Sequence, residues 1–315
     1  MKSIHVLAGV LRRANGEVLV ARRPAGGHLA GYWEFPGGKA EPGESRVDAL
    51  IRELSEEIDI TVNSARPLIR LVHRYDDRVI DLDVWLVGDW TGTPRGREGQ
   101  PIDWVDLAQL SELTMPPADE PVRTALGCGS RYLITPEPGD DNDQFIATLG
   151  DVLIDQPDIQ LVQLRIKTRP IADCERLLER VAEVVSGADR TLLLNGCVET
   201  ARRCGFSRVH LPSQALLSME RRPGDFDLIG ASCHSPAELR HAERIADFAV
   251  LSPVSTTETH PGAPPLGWDP FEAWVARCNI PVFALGGLGP KDLPTAWAHG
   301  AQGVAAIRAF WQAAS

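Results

Sequence analysis

From Arg131 onward, short apolar runs alternate with helix-like stretches eight times. The runs are 131–135 (RYLIT), 160–166 (QLVQLRI), 191–195 (TLLLN), 208–211 (RVHL), 227–231 (DLIGA), 247–252 (DFAVLS), 281–285 (PVFAL) and 303–307 (GVAAI). Strands that are apolar on both faces belong in a parallel sheet covered on both sides, and parallel neighbours need a crossover, usually a helix. Helices over 171–186 and 236–246 supply such crossovers, the second opened by Ser235 as N-cap and Pro236 in the first turn. Eight repeats of this unit imply a (β/α)8 barrel over residues 131–315, roughly 185 positions, just under the usual size of that fold. A chain of 315 residues accommodates a second domain, expected over 1–127, with residues 128–130 as linker in the turn-rich Gly127-Cys128-Gly129-Ser130.

The first 127 residues keep a different rhythm. Strands are expected at 4–11 and 17–23, joined by the Asn15-Gly16 turn, and at 67–73 and 79–87, either side of Asp76-Asp77. Ile102–Val105 reads as a short strand, and 107–110 and 119–126 as short helices. Mixed strands flanked by helices imply an α/β/α sandwich. Its longest helix starts at about Ser45, with Asp48 completing a capping box. Val47, Leu50, Ile51, Leu54 and Ile58 recur at three- and four-residue steps and form an apolar stripe. Glu53, Glu56 and Glu57 gather on another face, where like charges repel by a few tenths of a kcal/mol per exposed pair. Three glutamates alone are equally consistent with a solvated acidic face. A hard divalent cation would turn the repulsion into attraction. Pro36-Gly37-Gly38 is a tight turn where backbone can approach a ligand, and Glu44 and Arg52 are placed to brace loop against helix.

A net charge of −11 argues against general nucleic-acid binding, which needs basic patches, but not against a nucleotide bridged by a cation. No apolar run reaches membrane-spanning length, and Arg12 and Arg13 interrupt IHVLAGVL, which reads as a strand and not a signal peptide. The six cysteines show no C-x-x-C spacing, so buried free thiols in a reducing cytoplasm are expected.

The motif formed by Gly38, Glu44, Arg52, Glu53, Leu54, Glu56, Glu57 and Ile60 resembles the Nudix box. EFPGGK, GREGQPIDWVDL and PPADEPV resemble the MutT branch, the 8-oxo-dGTP diphosphatases, over nearly the whole first domain. That resemblance implies a hydrolase using Mg2+, with Mn2+ as substitute, acting on a nucleoside triphosphate. It places metals on Glu53, Glu56, Glu57, Glu98 and the Gly37 carbonyl, with Glu53 as base for the attacking water and Glu44 and Arg52 in support. It places the nucleotide against Arg23, Glu34, Phe35, Gly38, Tyr75, Arg78 and Asp119. Two positions depart from the pattern. Asp59 stands where glycine is usual, and Asp tolerates a left-handed helix end better than most residues. Asp119 stands where asparagine is usual, and must be protonated to donate to O6 while accepting from N7–H of 8-oxoguanine.

The barrel segments QLR (163–165), VHLPSQAL, IGASCHSPAEL, LSPVSTTETHPGAPPLGW and PVFALGGLGP resemble thiamine phosphate synthase and the TenI-type thiazole tautomerase. This implies a ligand or phosphate site drawn from Arg165, Lys167, Asn195, Ser232, His234, His260, Gly286 and Gly287. The departures are Gly196 and Ala215 in place of carboxylates and His260 in place of lysine. Two missing carboxylates leave a magnesium diphosphate poorly held, so thiamine phosphate synthesis is not expected. Three readings follow: a MutT-like hydrolase, a bifunctional thiamine-pathway protein whose Nudix half hydrolyses diphosphates of that pathway and whose barrel binds or tautomerises a thiazole phosphate, and a hydrolase carrying a non-enzymatic ligand-sensing or interaction module.

Overall fold

The computed structural model describes residues 2–26, 29–76, 78–256 and 264–312. The chain separates into two compact units, Met1–Gly127 and Cys128–Ser315.

The first unit runs β1 (Lys2–Leu11), β2 (Val18–Arg22), β3 (Trp33–Glu34), β4 (Gly37–Lys39), α1 (Arg46–Ile58), β5 (Thr61–Arg74), β6 (Arg78–Thr91), β7 (Ile102–Val105), α2 (Leu107–Glu112) and α3 (Glu120–Cys128). One sheet has the order β4-β1-β6-β5, the other β3-β2-β7. Among the described residues of this unit, only the β1–β6 pairing is parallel. Alternation along β1 separates two cores. Leu7 and Leu11 pack with Leu50, Leu54 and Ile58 of α1, whereas Ala8 and Val10 pack with Val122, Ala125 and Leu126 of α3. Gly9 lets α1 lie close, because a Cβ there would stand 2.6 Å from Leu54 Cδ1. The expected helix-flanked sandwich is the fold observed.

Two expectations for α1 are corrected. Val47 is 44% exposed, and the buried stripe is Ala49, Leu50, Leu54 and Ile58, so the face against the sheet is rotated toward Ala49. Ser45 caps the helix by accepting from Asp48 N–H at 3.1 Å, but the Asp48 carboxylate takes the Ser45 hydroxyl at 2.6 Å, making half of a capping box. Aspartate is one methylene shorter than the glutamate that usually reaches back to the cap N–H.

The second unit is a closed barrel of eight parallel strands: β8 (Arg131–Ile134), β9 (Ile159–Leu164), β10 (Thr191–Asn195), β11 (Arg208–Leu211), β12 (Leu228–Cys233), β13 (Phe248–Leu251), β14 (Val282–Leu285) and β15 (Gly303–Ala306). All eight expected strands are present, within two residues at their ends; the helix expected over 171–186 spans Glu175–Gly187 after a 3-10 turn at Ile171–Cys174, and the second spans Pro236–Ile245. The inner layer stacks Tyr132, Leu161, Leu193, Phe248 and Phe283. Gly230 makes room there, since a Cβ would lie 2.5 Å from the Phe248 ring and 2.8 Å from His210 Nδ1. Residues 128–130, read as a linker, belong to the barrel's packing: Cys128 is 1% exposed in the inner layer, and the Gly129 and Ser130 carbonyls accept from Gln302 Nε2 and Val304 N–H. Free thiols are found as expected, but Cys197 and Cys204 are partly exposed. No helix among the described residues is long and apolar enough to cross a membrane.

Candidate functional site

The acidic face of α1 is held by two kinds of partner. Arg52 fans out to Glu44 through two bonds of 2.9 Å, to Glu53 at 2.9 Å and to Glu56 at 3.3 Å. Its remaining reach goes to the Lys39 carbonyl at 3.1 Å, so one guanidinium ties helix to loop. The expected brace between Glu44 and Arg52 is therefore present, and hydrogen bonding to Arg52 holds the Glu44 carboxyl down to about 2. Glu53 fits against the turn because residue 38 is glycine: a Cβ there would stand 2.1 Å from Glu53 Oε2. Glu57 turns the other way and accepts from Gly37 N–H at 2.6 Å. Burial raises the Glu57 carboxyl to about 7, against the pull of that N–H and with added repulsion from Glu34 and Glu98.

Glu98 lies on the loop between β6 and β7, which is strapped to the end of α1. Arg95 N–H and Arg97 N–H reach the Ile58 and Glu57 carbonyls at 3.0 Å, and Gln100 Nε2 reaches the Glu57 carbonyl at 3.1 Å. These carbonyls are among the last four of the helix, which have no partner within it. Asp59 adopts the left-handed conformation at φ 60°, and its carboxylate pairs with Arg95 at 2.6 Å and Arg97 at 3.8 Å. The substituted glycine position is thus accommodated, and it gains a charge that grips the same loop. Sequence patterning gave no role to Gln100, although it falls within the GREGQP segment, and no sign of this clasp.

Among the described residues, no three acidic, histidine or cysteine side chains already converge at metal-binding distance. The set expected to hold metal is divided between Arg52 and Gly37 N–H in this arrangement. The donors nevertheless fit a hard divalent cation: all are carboxylate oxygens, one is buried against like charges, and rotation about side-chain bonds redirects the rest. Glu53, Glu56, Glu57 and Glu98 are the residues that would hold it.

A second group of residues, beyond Glu34, forms the other end of the site. Arg23 is ion-paired with Glu34, which sits on β3, and burial raises the Glu34 carboxyl. Asp119 ends the short 3-10 turn Pro117–Asp119, is 5% exposed, and is raised to about 8 by burial, with Glu34 adding repulsion and Arg23 and Arg123 opposing. Tyr75 is raised by burial and lies in the field of Asp119, Arg23, Arg78 and Glu34, so these residues share one region. Phe35 is 4% exposed inside the hydrophobic cluster with Val20, Leu68 and Ala118. This burial matches the reading of Phe35 as core packing beside the expected nucleotide contact.

In the barrel, Arg165, Lys167, Asn195, Ser232, His234, Gly286 and Gly287 line one cavity of about 570 Å³ at the strand C-terminal ends. His260 lies outside the described residues. A hydrogen-bonded chain lies beneath the cavity: Tyr132 Oη to His210 Nδ1 at 3.0 Å and His210 Nε2 to Ser232 Oγ at 2.9 Å. Burial lowers His210 to about 3, so it is neutral. Gln163 Nε2 donates to Asn195 Oδ1 at 2.9 Å.

The family model described as NUDIX domain matches residues 7–125, and the one described as thiamine monophosphate synthase matches residues 131–310. The chain is a Nudix hydrolase joined to a barrel of the thiamine monophosphate synthase family. The 8-oxo-dGTP diphosphatase of Escherichia coli (strain K12) is 43% identical over 122 residues, 39% of this chain and 95% of that protein. The CTP pyrophosphohydrolase of the same organism is 38% identical over 125 residues, 40% of this chain and 92% of its own length. For the barrel, a putative thiamine-phosphate synthase 2 of Aquifex aeolicus (strain VF5) is 32% identical over 170 residues, 53% of this chain and 90% of that protein. The Nudix unit is therefore of the 8-oxo-dGTP diphosphatase type, and the barrel is thiamine-phosphate-synthase-like.

Proposed function

We propose that the Nudix unit hydrolyses 8-oxo-dGTP to 8-oxo-dGMP and pyrophosphate with Mg2+, or Mn2+ in its place, so that the oxidised base is kept out of DNA. Water supplies the oxygen that joins the phosphorus, and pyrophosphate leaves. A divalent cation, when bound, lowers the pKa of water and offsets phosphate charge. Glu53 accepts the proton of the attacking water. Arg52 holds Glu53 and Glu44 in place, and Arg78 and Arg23 face the nucleotide. Expected surroundings are the cytoplasm, with no membrane or nucleic-acid partner.

The choice of base rests on the 43% identity to an 8-oxo-dGTP diphosphatase, and Asp119, 5% exposed with its carboxyl raised to about 8 by burial, is compatible with it. At neutral pH this carboxyl keeps its proton. A neutral carboxyl offers one O–H donor and one carbonyl acceptor, as an amide does. It can accept from N7–H and donate to O6 of 8-oxoguanine, so aspartate serves where the MutT pattern has asparagine. Cytosine, with an exocyclic amine beside a ring acceptor, matches the same pair, and the similarity to a CTP pyrophosphohydrolase favours CTP as the second reading.

For the barrel, we infer a site for a phosphorylated ligand without thiamine phosphate synthesis, because Gly196 and Ala215 provide no carboxylate for a magnesium diphosphate. Thiazole phosphate binding or tautomerisation, with Ser232 and His234 at the cavity, and a purely sensing role are the alternatives. Product analysis with 8-oxo-dGTP, dGTP, CTP and dCTP plus magnesium tests the first proposal. Turnover of 8-oxo-dGTP well above dGTP and CTP is expected, with a loss of roughly a hundred- to ten-thousandfold in Glu53→Gln. Preference for CTP would replace the substrate, and near-normal rates in that variant would reassign the base.

A further inference from the structure

Gln100 is 8% exposed, and both ends of its amide are engaged. Its Nε2 donates to the Glu57 carbonyl at 3.1 Å, and its Oε1 accepts from Glu98 N–H at 2.9 Å. The amide therefore spans from the helix that carries Glu53, Glu56 and Glu57 to the loop residue that carries the fourth carboxylate. Gly96 allows the loop to fold tightly around it, since a Cβ there would lie 2.1 Å from the Gln100 carbonyl oxygen. Glu98 is exposed, and no other side chain fixes its backbone position among the bonds described. The two carboxylates reach one another electrostatically, since Glu98 adds to the repulsion on Glu57.

We propose that Gln100 is a positioning residue that locks the Glu98 loop to the end of α1, so that helix and loop carboxylates present one divalent-cation site. This rests on the hydrolase reading above. Its physical basis is entropic and geometric. A loop ligand contributes only if the loop is already held where the cation binds, and outer partners of ligands are commonly worth 10- to 100-fold in metal affinity. The Gln100 side chain also satisfies a helix-terminal carbonyl, so the same contact serves the helix end and the loop.

The test is direct Mn2+ binding to the nucleotide-free full chain, read by electron paramagnetic resonance. Gln100→Met keeps the side-chain length and removes both hydrogen bonds. It is expected to weaken Mn2+ affinity at least tenfold. Nucleotide KM at saturating metal is expected to hold, and the thermal melt to stay cooperative. In a Glu98→Gln background, adding Gln100→Met is expected to cost clearly less than it does in the wild type, because part of its effect runs through Glu98 and the remainder through Glu57. Should Gln100→Met fail to fold, Gln100→Asn keeps an uncharged amide but is one methylene too short to span from Glu98 to Glu57, and an intermediate loss is expected. Unchanged Mn2+ affinity in the folded variant, or an equal loss with and without the Glu98 change, overturns the proposal. A wild-type chain that binds Mn2+ but turns over no nucleotide would sink the hydrolase reading while leaving the role of Gln100 intact.

Discussion

Replacing Asp119 with asparagine changes one oxygen for one nitrogen and removes a titration from the folded state. The Asp119 carboxyl lies at about 8 when folded against 3.8 as the ordinary value. Burial is the largest cause. Between those two values the folded protein holds a proton that the unfolded chain releases, so stability falls as pH rises from about 4 and levels off above about 8. At 1.36 kcal/mol per tenfold in proton affinity, the full effect is ~6 kcal/mol, and the part lost between pH 5 and pH 8 is ~4 kcal/mol. An asparagine amide does not ionise, so the variant is expected to be more stable, by an amount that widens by that ~4 kcal/mol across the interval. The assay is urea unfolding of residues 1–127, wild type and Asp119→Asn, in half-unit steps from pH 5 to pH 9. Glu57 and Glu34 are also raised, but they titrate in both proteins and largely cancel in the difference. Stability curves that run parallel with pH would refute the claim that Asp119 is protonated when folded. A functional counterpart follows: above pH 8 the wild type should lose affinity for 8-oxo-dGTP as its donor ionises, whereas the asparagine variant should not.

The isolated Nudix unit, residues 1–127, is expected to match the full chain in nucleotide turnover within about twofold, an order-of-magnitude allowance for sites that share no partners; a large loss on removal of the barrel would make the barrel part of the enzyme. Arg52→Lys should lower kcat well beyond any change in KM, since lysine cannot reproduce the two-pronged bond to Glu44 while also holding Glu53, and steady-state kinetics would show it. His210 is lowered to about 3 by burial, so the barrel should lose stability as pH falls below about 6.5, where only the unfolded chain gains the proton; His210→Gln should flatten that acid limb in thermal melts of residues 128–315. Incubating the chain with a hydroxymethylpyrimidine diphosphate and a thiazole phosphate should yield no thiamine phosphate, as measured by chromatography; restoring carboxylates as Gly196→Asp and Ala215→Asp should strengthen magnesium-dependent diphosphate binding.

The barrel was legible because its strands are buried on both faces and its rhythm is local: each apolar run and the helix after it announce themselves within a few tens of residues. The Nudix helix was legible for a similar reason, since spacing along one helix fixes which carboxylates share a face. Val47 shows the limit of that logic, because periodicity names a stripe but cannot fix which of its neighbours faces the sheet: Ala49 is buried and Val47 is not. Phe35 shows another: whether a hydrophobic residue beside a pocket is floor or wall depends on how the segment between β3 and β4 packs on the core.

What the sequence alone determined is the pair of folds and the acidic helix, properties of residue type and spacing, while the missing barrel carboxylates are departures from the pattern that the resemblance to thiamine phosphate synthase supplies. Tertiary structure alone decided three matters. Asp119 became a buried carboxyl able to keep its proton, residues 128–130 became barrel and not linker, and Gln100 came to join Glu57 to Glu98. The reason is common to all three. Burial, and contacts between segments tens of residues apart, set local dielectric and hydrogen-bond partners, and neither is written in any short stretch of chain.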